Sequence, residues 1–311
     1  MTTYIVRRVL FAIVTFFATT FVAFVMFHVI PTGFQEPNDP LVVRYGHFWW
    51  NLVAHGSLGA TSQPPSRGTA RTRAYVNDIV FRAAPITASV VAGGVIVWLL
   101  ISIPLGTLAA LRPRSLLDRG TTVFVLFGIC AHPVWFALTL SYFVSYKLGL
   151  TPIQGYCEVI APPVGARCGG VGDWAYHLVL PWFCFAFLFS ALYARMTRYG
   201  VIEAMAEDHV RTARAKGAGE IRVVTSHVLR NALLPIVTML ATDVPIAFGG
   251  AIFTEIVFSL PGLGMTAWQA LQNENYIVLQ GIVIFTSVCV IVVNLFLDLV
   301  YVALDPRIRV H

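Results

Sequence analysis

Long apolar segments constrain this chain more than any other feature of its sequence. Each is long enough to cross about 30 Å of hydrocarbon as a helix. The six segments are Val9–Phe27, Ala83–Leu111, Gly120–Tyr146, Trp174–Ala194, Leu233–Phe258 and Tyr276–Leu297. Of the 311 residues, 57% are hydrophobic and 12% are charged, which is typical of polytopic membrane proteins and not of soluble domains. The sequence therefore predicts an all-α fold, a polytopic bundle of about six transmembrane helices.

Basic residues beside these segments predict that both ends of the chain lie in the cytoplasm, because Lys and Arg are retained on that side. With the N-terminus inside, the predicted cytoplasmic segments hold most of the 21 Lys and Arg residues. Five arginines between Arg44 and Arg82 oppose this orientation, but long loops are translocated with little regard to charge. We interpret the net charge of +6 as topology and contact with lipid head groups, and we expect no nucleic-acid partner.

The N-terminal segment could instead be a secretion signal, since Arg7 and Arg8 precede an apolar run. That run is longer than a signal peptide requires, and no small-residue cleavage site follows it. We therefore interpret residues 1–30 as a retained transmembrane helix and residues 31–82 as an external loop. Residues 83–311 form the predicted core domain, which contains a cytoplasmic loop at 195–235.

Two of the five cysteines are candidates for a disulfide. Cys157 and Cys168 fall in the loop between Leu148 and Asp173, which the predicted topology places outside, where disulfides can form. A bridge between them and a pair of free thiols both remain open, and no metal site is expected because further ligands are missing at the right spacing. The other cysteines lie within spans and are expected to be small packing residues.

A charged stretch interrupts the apolar second half of the chain from Glu203 to Pro235. Asp208 is a candidate N-cap for a short helix over His209–Lys216, whose basic residues lie towards its C-terminal end. Gly217 can adopt the left-handed conformation that ends such a helix. The small side chains of Ala213 and Ala215 would allow the helix to fit closely in a protein cleft.

A second amphipathic helix is predicted after Gly219. Ile221, Val224 and Val228 recur on one face, which could pack against the bundle while Arg222 and Arg230 remain in water. The simpler alternative is an ordinary positively charged cytoplasmic loop. A capped helix, a glycine break and a second amphipathic helix are more than topology alone requires.

Several long, ordered segments resemble one known family. They are YIVRR at the start, DPLVVRYGHFWWNLVAHGSLG from Asp39, PLGTLAALRPRSLLDR from Pro104, LGLTPIQGY from Leu148, ARMTRYGVIEAMAEDHVRTARAKG from Ala194, GGAIFTEIVFSLPGLG from Gly249 and NLFLDLVYVALDPRIR from Asn294. Through most of its length the chain resembles the permease subunits of dipeptide, oligopeptide and nickel importers, a type I class of ATP-binding cassette (ABC) transporter. The resemblance implies a MetI-like permease fold.

The same resemblance implies a loop that couples the permease to an ATPase. Glu203, Ala204 and Gly217 would carry the signature of this coupling loop, and the helix from Asp208 to Lys216 would insert into the ATPase. The coupling-loop candidates are Glu203, Ala204, Asp208, Arg211, Ala213, Arg214, Lys216 and Gly217.

The implied partners are a second homologous permease, two ABC ATPase subunits or one fused ATPase, an extracytoplasmic substrate-binding protein and the lipid bilayer. The sequence contains no GxxxxGK[ST] motif, so we expect no ATPase, catalytic residue, metal or cofactor in this chain. ATP and Mg²⁺ would be used by the partner ATPases. The implied location is the cytoplasmic membrane of a prokaryote, and the first choice of substrate is peptides, with nickel or another small solute as the alternative.

Ionisable and polar residues within the predicted spans are candidates for the translocation pathway, because such groups are costly in lipid. They are Asp243, Glu255, Asn294 and Asp298. The alternative is a buried polar network that holds the helices together.

Two other classes of protein are alternatives to an importer subunit. Gly170–Asp173 has the GxGD form of some intramembrane aspartyl proteases, which need two aspartates at one site, and the candidate partner of Asp173 is Asp243. An ion-coupled secondary transporter would explain Asp243 and Asp298, but it predicts inverted repeats, and the sequence shows no convincing internal symmetry.

Overall fold

The computed structural model of the protein describes residues 2–29, 41–62, 73–159 and 169–304. Within these ranges the chain is helical apart from turns and one pair of short antiparallel strands. The helices are α1 (Thr2–Val29), α2 (Leu41–His55), α3 (Val76–Leu111), α4 (Leu116–Cys130), α5 (Pro133–Leu140), α6 (Val171–Met205), α7 (Asp208–Ala215), α8 (Glu220–Val223), α9 (Leu229–Ala232), α10 (Leu234–Phe258), α11 (Leu263–Gln272) and α12 (Tyr276–Leu304). Two π-helical segments, Ser141–Lys147 and Val224–Val228, continue α5 and join α8 to α9. The strands are β1 (Ala60–Ser62) and β2 (Arg73–Tyr75), with Thr61 opposite Ala74.

Five of the described helices, α1, α3, α6, α10 and α12, are long and apolar enough to cross a membrane. A sixth span is reached if α4, α5 and the π-helical segment after α5 are counted as one broken span. The predicted all-α bundle is therefore confirmed. The predicted count of six holds only with the broken span included.

The third predicted span, Gly120–Tyr146, is not one straight helix. The chain bends by 111° between α4 and the helix that begins at Pro133. Proline has no backbone N–H and its ring obstructs the preceding turn, so α4 cannot continue through Pro133, which instead occupies the first turn of α5. The composition of the segment predicted a span, but it did not predict a bend of this size.

Several helix boundaries also differ from the sequence prediction, among them those of α3 and α6. Helix α3 begins at Val76, before the predicted Ala83. Helix α6 continues beyond the predicted end at Ala194 to Met205. The extension follows because Ala194, Thr197 and Val201 remain buried after the apolar run has ended.

The chain divides into two compact units, one made of residues up to 87 with 261–296 and the other of residues 88–260 with the chain after 296. In the first unit, α2 lies within the segment that was predicted as an external loop. Its aromatic face packs on α1: Trp49 stacks on Phe17 with ring centroids 4.6 Å apart, and Tyr45 lies edge-on to the buried Phe24 at 5.2 Å. The predicted divisions at residues 30 and 82 stay predictions.

The second unit is organised around the close packing of α3 and α6. Trp98 on α3 stacks on Phe189 with centroids 4.5 Å apart, and Trp182 on α6 donates a hydrogen bond from Nε1 to the Ser89 carbonyl at 2.9 Å. Gly106 allows the two backbones to approach. A β-carbon at this position would lie only 2.5 Å from the carbonyl oxygen of Ala194.

We expect Gly106→Ala to destabilise the protein by about 1–3 kcal/mol, because the added methyl group meets rigid backbone and the two helices must separate. The measurement is the thermal unfolding midpoint of the purified protein in detergent.

Gly120→Ala is the matched control. Gly120 also lies in a helix, but nothing is found within 4 Å of its would-be β-carbon. Its substitution should leave the midpoint unchanged or raise it, since alanine favours helix by about 0.8–1.0 kcal/mol over glycine. Equal midpoints for the two variants would contradict the close approach of α3 and α6.

Candidate functional site

The charged loop between α6 and α10 contains the short helix α7, which is anchored on one side and exposed on the other. Val210 and Ala213 face a buried cluster that includes Ala110 of α3, Val201 of α6 and Ala232 of α9. The opposite face is exposed. It consists of Asp208, Arg211, Thr212 and Ala215, which we call the coupling surface.

The start of α7 corrects one prediction. Glu207, not Asp208, is the N-cap residue: it has extended backbone angles, while Asp208 is the first residue of the helix. The Asp208 side chain is 98% exposed and lies 3.8 Å from Arg211 on the next turn. A carboxylate in the first turn still favours the helix through its dipole.

One alanine of the predicted coupling loop takes a different position from the one expected. Ala213 was expected to fit into a partner's cleft, but it faces the protein's own core together with Ala204, and both are buried. Ala215 remains on the coupling surface. Of the other candidates, Glu203, Arg211, Arg214 and Lys216 are all exposed.

The end of α7 has the geometry predicted for it. Gly217 has φ +78, the left-handed conformation, and its N–H donates to the carbonyl of Arg214 at 2.9 Å. The N–H of Ala218 donates to the carbonyl of Ala213 at 3.2 Å. These two bonds form a Schellman motif, which ends a helix by satisfying its last carbonyl groups.

An ion pair closes the turn after Gly217. Arg214 Nε donates to Glu220 Oε2 at 3.2 Å, and Nη2 donates to the other carboxylate oxygen. The hydrogen bond to Glu220 raises the pKa of the Arg214 guanidinium above its ordinary value, so the pair stays charged. Sequence analysis had singled out Arg214 but not Glu220.

The second helix of the loop is amphipathic, but its buried face is shifted. Val224 and Val228 are buried as predicted, whereas Ile221 is 83% exposed and Val223 is buried in its place. The reason is the π-helical segment Val224–Val228, in which residues five apart share a face. Arg222 and Arg230 are exposed, as expected.

A polar cluster that sequence reasoning missed joins the start of α7 to α9. His209 Nδ1 lies 2.9 Å from Glu207 Oε2, and Asn231 Nδ2 donates to the same oxygen at 3.4 Å. The ring of His209 also reaches the carbonyl of His227, with its Nε2 3.4 Å from that oxygen. Polar contacts therefore hold both ends of α7 against the helical segments that follow it in the chain.

A second missed feature is an ion pair between the start of α4 and α6. Arg198 donates to both carboxylate oxygens of Asp118, from Nε at 2.7 Å and from Nη2 at 3.2 Å. Asp118 also accepts from the backbone N–H of Arg114 at 3.0 Å. In the sequence, Asp118 is the one acidic residue in the basic flank of a predicted span. This single acidic residue among arginines is the feature that could have indicated an ion pair.

The two intramembrane candidates on α10, Asp243 and Glu255, do not form one site. Asp243 of α10 accepts a hydrogen bond from Tyr193 of α6, with 2.9 Å between Oδ2 and the hydroxyl oxygen. Glu255 is fully buried about 18 Å further along α10. Asn294 is partly buried on α12, and the side chain of Asp298 lies outside the described part of the chain. Their role in a pathway stays a prediction.

The structure shows the state of four of the five cysteines. Cys157 is disulfide-bonded and buried, with its Sγ 3.6 Å from His177 Nε2. Cys130, Cys184 and Cys289 have free thiols. Cys168, the proposed partner, lies outside the described residues, so the pairing itself stays a prediction.

The arrangement of the two aspartates argues against the protease alternative. Asp173 lies in the first turn of α6, whereas Asp243 bonds to Tyr193 of the same helix. Twenty residues of helix separate Asp173 from Tyr193, which is about 30 Å along its axis. Two aspartates that share a proton must be in contact, so these two cannot form a catalytic pair.

Comparisons with known proteins agree with this architecture. The family described as "Binding-protein-dependent transport system inner membrane component" matches residues 102–310. The chain is 32% identical to the oligopeptide transport system permease protein AppB of Bacillus subtilis (strain 168), over 99% of this chain and 100% of that protein. It is 31% identical to the dipeptide transport system permease protein DppB of Escherichia coli (strain K12), over 99% of each.

Solved structures show the same fold. A chain of the MetNI methionine ABC transporter in an inward-facing conformation superposes with a TM-score of 0.57 at 16% identity, covering 74% of this chain and 97% of that chain. A chain of an amino acid ABC transporter gives a TM-score of 0.51 at 13% identity, covering 74% and 94%. The MetI-like fold implied by the sequence is therefore confirmed.

We expect the ion pair between Asp118 and Arg198 to stabilise the protein measurably, because the contact is bidentate and Asp118 is largely buried. Asp118→Ala and Arg198→Ala should each lower the melting temperature by about 2–4 °C, and the double variant should lose less than the sum. The measurement is a double-mutant cycle on the purified protein.

The pair formed by Asp208 and Arg211 is the control, because both side chains are exposed and 3.8 Å apart. Exposed pairs of this kind contribute little, so its cycle should show no coupling. If the changes in melting temperature caused by Asp118→Ala and Arg198→Ala also add up in the double variant, the result would contradict a structural role for that pair.

Proposed function

Because the chain belongs to the family of binding-protein-dependent transport system inner membrane components, we propose that it is the permease subunit of an ATP-driven importer for peptides. The observation that supports this most strongly is its similarity to named dipeptide and oligopeptide permeases across 99% of its length. The spanning helices would form half of a pathway across the cytoplasmic membrane. Dipeptides and oligopeptides are the proposed cargo.

The partners follow from the same proposal. A second homologous permease would complete the pathway, two ABC ATPase subunits or one fused ATPase would dock on the cytoplasmic side, and an extracytoplasmic binding protein would deliver the substrate. The ATPases would use ATP and Mg²⁺, and this chain would carry no catalytic residue. Both termini would then lie in the cytoplasm, on the same side as α7.

The packing of α7 suggests how work from the ATPase would reach the pathway. The coupling surface is free to contact a partner, while Val210 and Ala213 are held against the ends of α3 and α6. The polar cluster at Glu207 and the turn closed by Arg214 fix the two ends of the helix. A displacement of the coupling surface by the ATPase would therefore move α6 and the segment leading into α10 together with α7.

Ile221 provides the apolar part of the proposed docking site. It is 83% exposed and follows Glu220, which the ion pair holds beside the end of α7. An exposed isoleucine next to a charged helix face is typical of an interface with an apolar centre and a polar rim. We propose that Ile221 enters a pocket of the ATPase while the coupling surface forms the surrounding polar contacts.

Gly217→Val is expected to uncouple ATP hydrolysis from uptake. A β-branched residue is strained at φ +78 by about 1–2 kcal/mol, so the Schellman turn and the position of α7 would change. Uptake per ATP hydrolysed should fall about tenfold in proteoliposomes that contain the complete complex.

Gly219→Val is the matched control. Nothing lies within 4 Å of the would-be β-carbon at either glycine, but Gly219 has φ −63 and accepts any residue without strain. Its coupling ratio should stay near that of the wild type. Normal coupling in Gly217→Val, or failure of an ATPase to co-purify with the wild type, would count against the proposed function.

Ile221→Ser is expected to weaken ATPase binding about tenfold without changing the melting temperature, because buried apolar anchors dominate interfaces and this one contributes nothing to the isolated fold. The measurement is the amount of ATPase retained on the tagged permease as the ATPase is diluted. Val171→Ser, an exposed apolar position at the far end of α6, is the control and should retain the ATPase fully.

A further inference from the structure

We propose that Asp243 binds a cationic group of the substrate within the membrane, the ammonium group that a peptide carries at its N-terminus. The proposal rests on the proposed function, because it assigns a contact to the peptide pathway. It goes beyond that function by naming the residue and the part of the substrate that it recognises.

Only one of the two carboxylate oxygens of Asp243 accepts a hydrogen bond from the described part of the chain. Oδ2 accepts the hydrogen bond from the Tyr193 hydroxyl, and Oδ1 has no hydrogen-bond partner among the residues that the structure describes. Within the same residues, no Lys, Arg or His forms an ion pair with it. Tyr193 is neutral, so the charge of the carboxylate is not balanced by the protein around it.

The surroundings of Asp243 indicate that this carboxylate can be reached. Its side chain is partly exposed, and its neighbours on α10, Thr242 and Ile246, are exposed at the surface of the chain. An unbalanced carboxylate in a spanning helix is too costly to face lipid, so it faces the bundle interior or a water-filled cavity. In an importer permease that cavity is the translocation pathway.

The side of Asp243 that faces the protein is rigid. Tyr193 is fully buried, its ring lies 5.4 Å from that of Trp98, and Trp98 stacks on Phe189. The hydroxyl of Tyr193 therefore has a fixed position and holds Oδ2. A preorganised carboxylate with one free oxygen can accept a charge-assisted hydrogen bond at little entropic cost.

An ammonium group suits this site better than a metal ion. It is a compact cation with hydrogen-bond donors, and a single carboxylate oxygen can accept one of them. A metal ion needs several ligands, and the described part of the chain gathers no three His, Cys, Asp or Glu side chains anywhere. Every peptide with a free N-terminus carries the ammonium group, so the contact would not restrict which peptides are transported.

The decisive variant is Asp243→Asn, because it separates charge from packing. Asparagine has nearly the same volume, and its Oδ1 can still accept the hydrogen bond from Tyr193, but it carries no charge. We expect dipeptide uptake to fall at least about tenfold, since a charged partner is lost, while the melting temperature stays unchanged.

Two further variants support the assignment. Asp243→Glu keeps the negative charge and should recover part of the uptake that Asp243→Asn loses. Tyr193→Phe removes the hydrogen bond but leaves the charge, so it should lower the melting temperature and reduce uptake less than Asp243→Asn does. All variants are measured in proteoliposomes with the ATPases, the second permease and saturating binding protein loaded with a dipeptide.

The opposite pattern would overturn the inference. If Asp243→Asn takes up dipeptide as the wild type does, while Asp243→Glu is destabilised, then Asp243 is only a packing partner of Tyr193. That result leaves the proposed function intact, because the wild type still couples ATP hydrolysis to uptake. If the wild-type complex itself takes up no peptide, the proposed function and the inference built on it both fail.

Discussion

The close packing of α6 against α3 is the constraint on which the rest of the second unit depends. Gly106 lets the two backbones meet, and the buried ring of Trp98, stacked on Phe189, fixes their register. Because lipid offers no hydrophobic driving force between helices, such close contact is what holds them together in a membrane. Three other parts of the unit then pack on α6: Tyr193 bonds to Asp243 of α10, Arg198 bonds to the start of α4, and the C-terminal end of the helix supports α7.

This arrangement connects two distant regions of the proposed importer through one helix. Tyr193 and the buried cluster at Val201 lie about 12 Å apart along α6, so a displacement of α7 reaches the level of Asp243 without a flexible joint between them. Further along the chain, after α7 and α8, the π-helical segment Val224–Val228 leads towards α10. If the loop couples the permease to an ATPase as proposed, α6 and α10 would both receive its motion, and the hydrogen bond between Tyr193 and Asp243 joins these two helices again.

Much of the fold could be predicted because the bilayer imposes it. A spanning segment must be apolar and helical, so composition alone located the five described helices that could cross a membrane and the broken span of α4 and α5. The size of the bend at Pro133 was not predicted, since a proline within an apolar run can kink a helix or end it, and the neighbouring helices decide which. The short helix in the charged loop between α6 and α10 was located correctly through its glycine and its charges. The details of the loop were not: Ala213 is a core residue, and a π-helical segment exposes Ile221 and buries Val223.

The sequence by itself determined that this protein is a bundle of membrane helices with a capped, charged helix between α6 and α10, and it carried the family resemblance that the comparisons confirmed. Hydropathy, charge and a helix-ending glycine act locally, so they can be recognised along the chain. Only the tertiary structure decided which polar groups meet. Tyr193 and Asp243 are separated by 50 residues, and Asp118 and Arg198 by 80, and no local pattern links side chains that come together only when their helices pack.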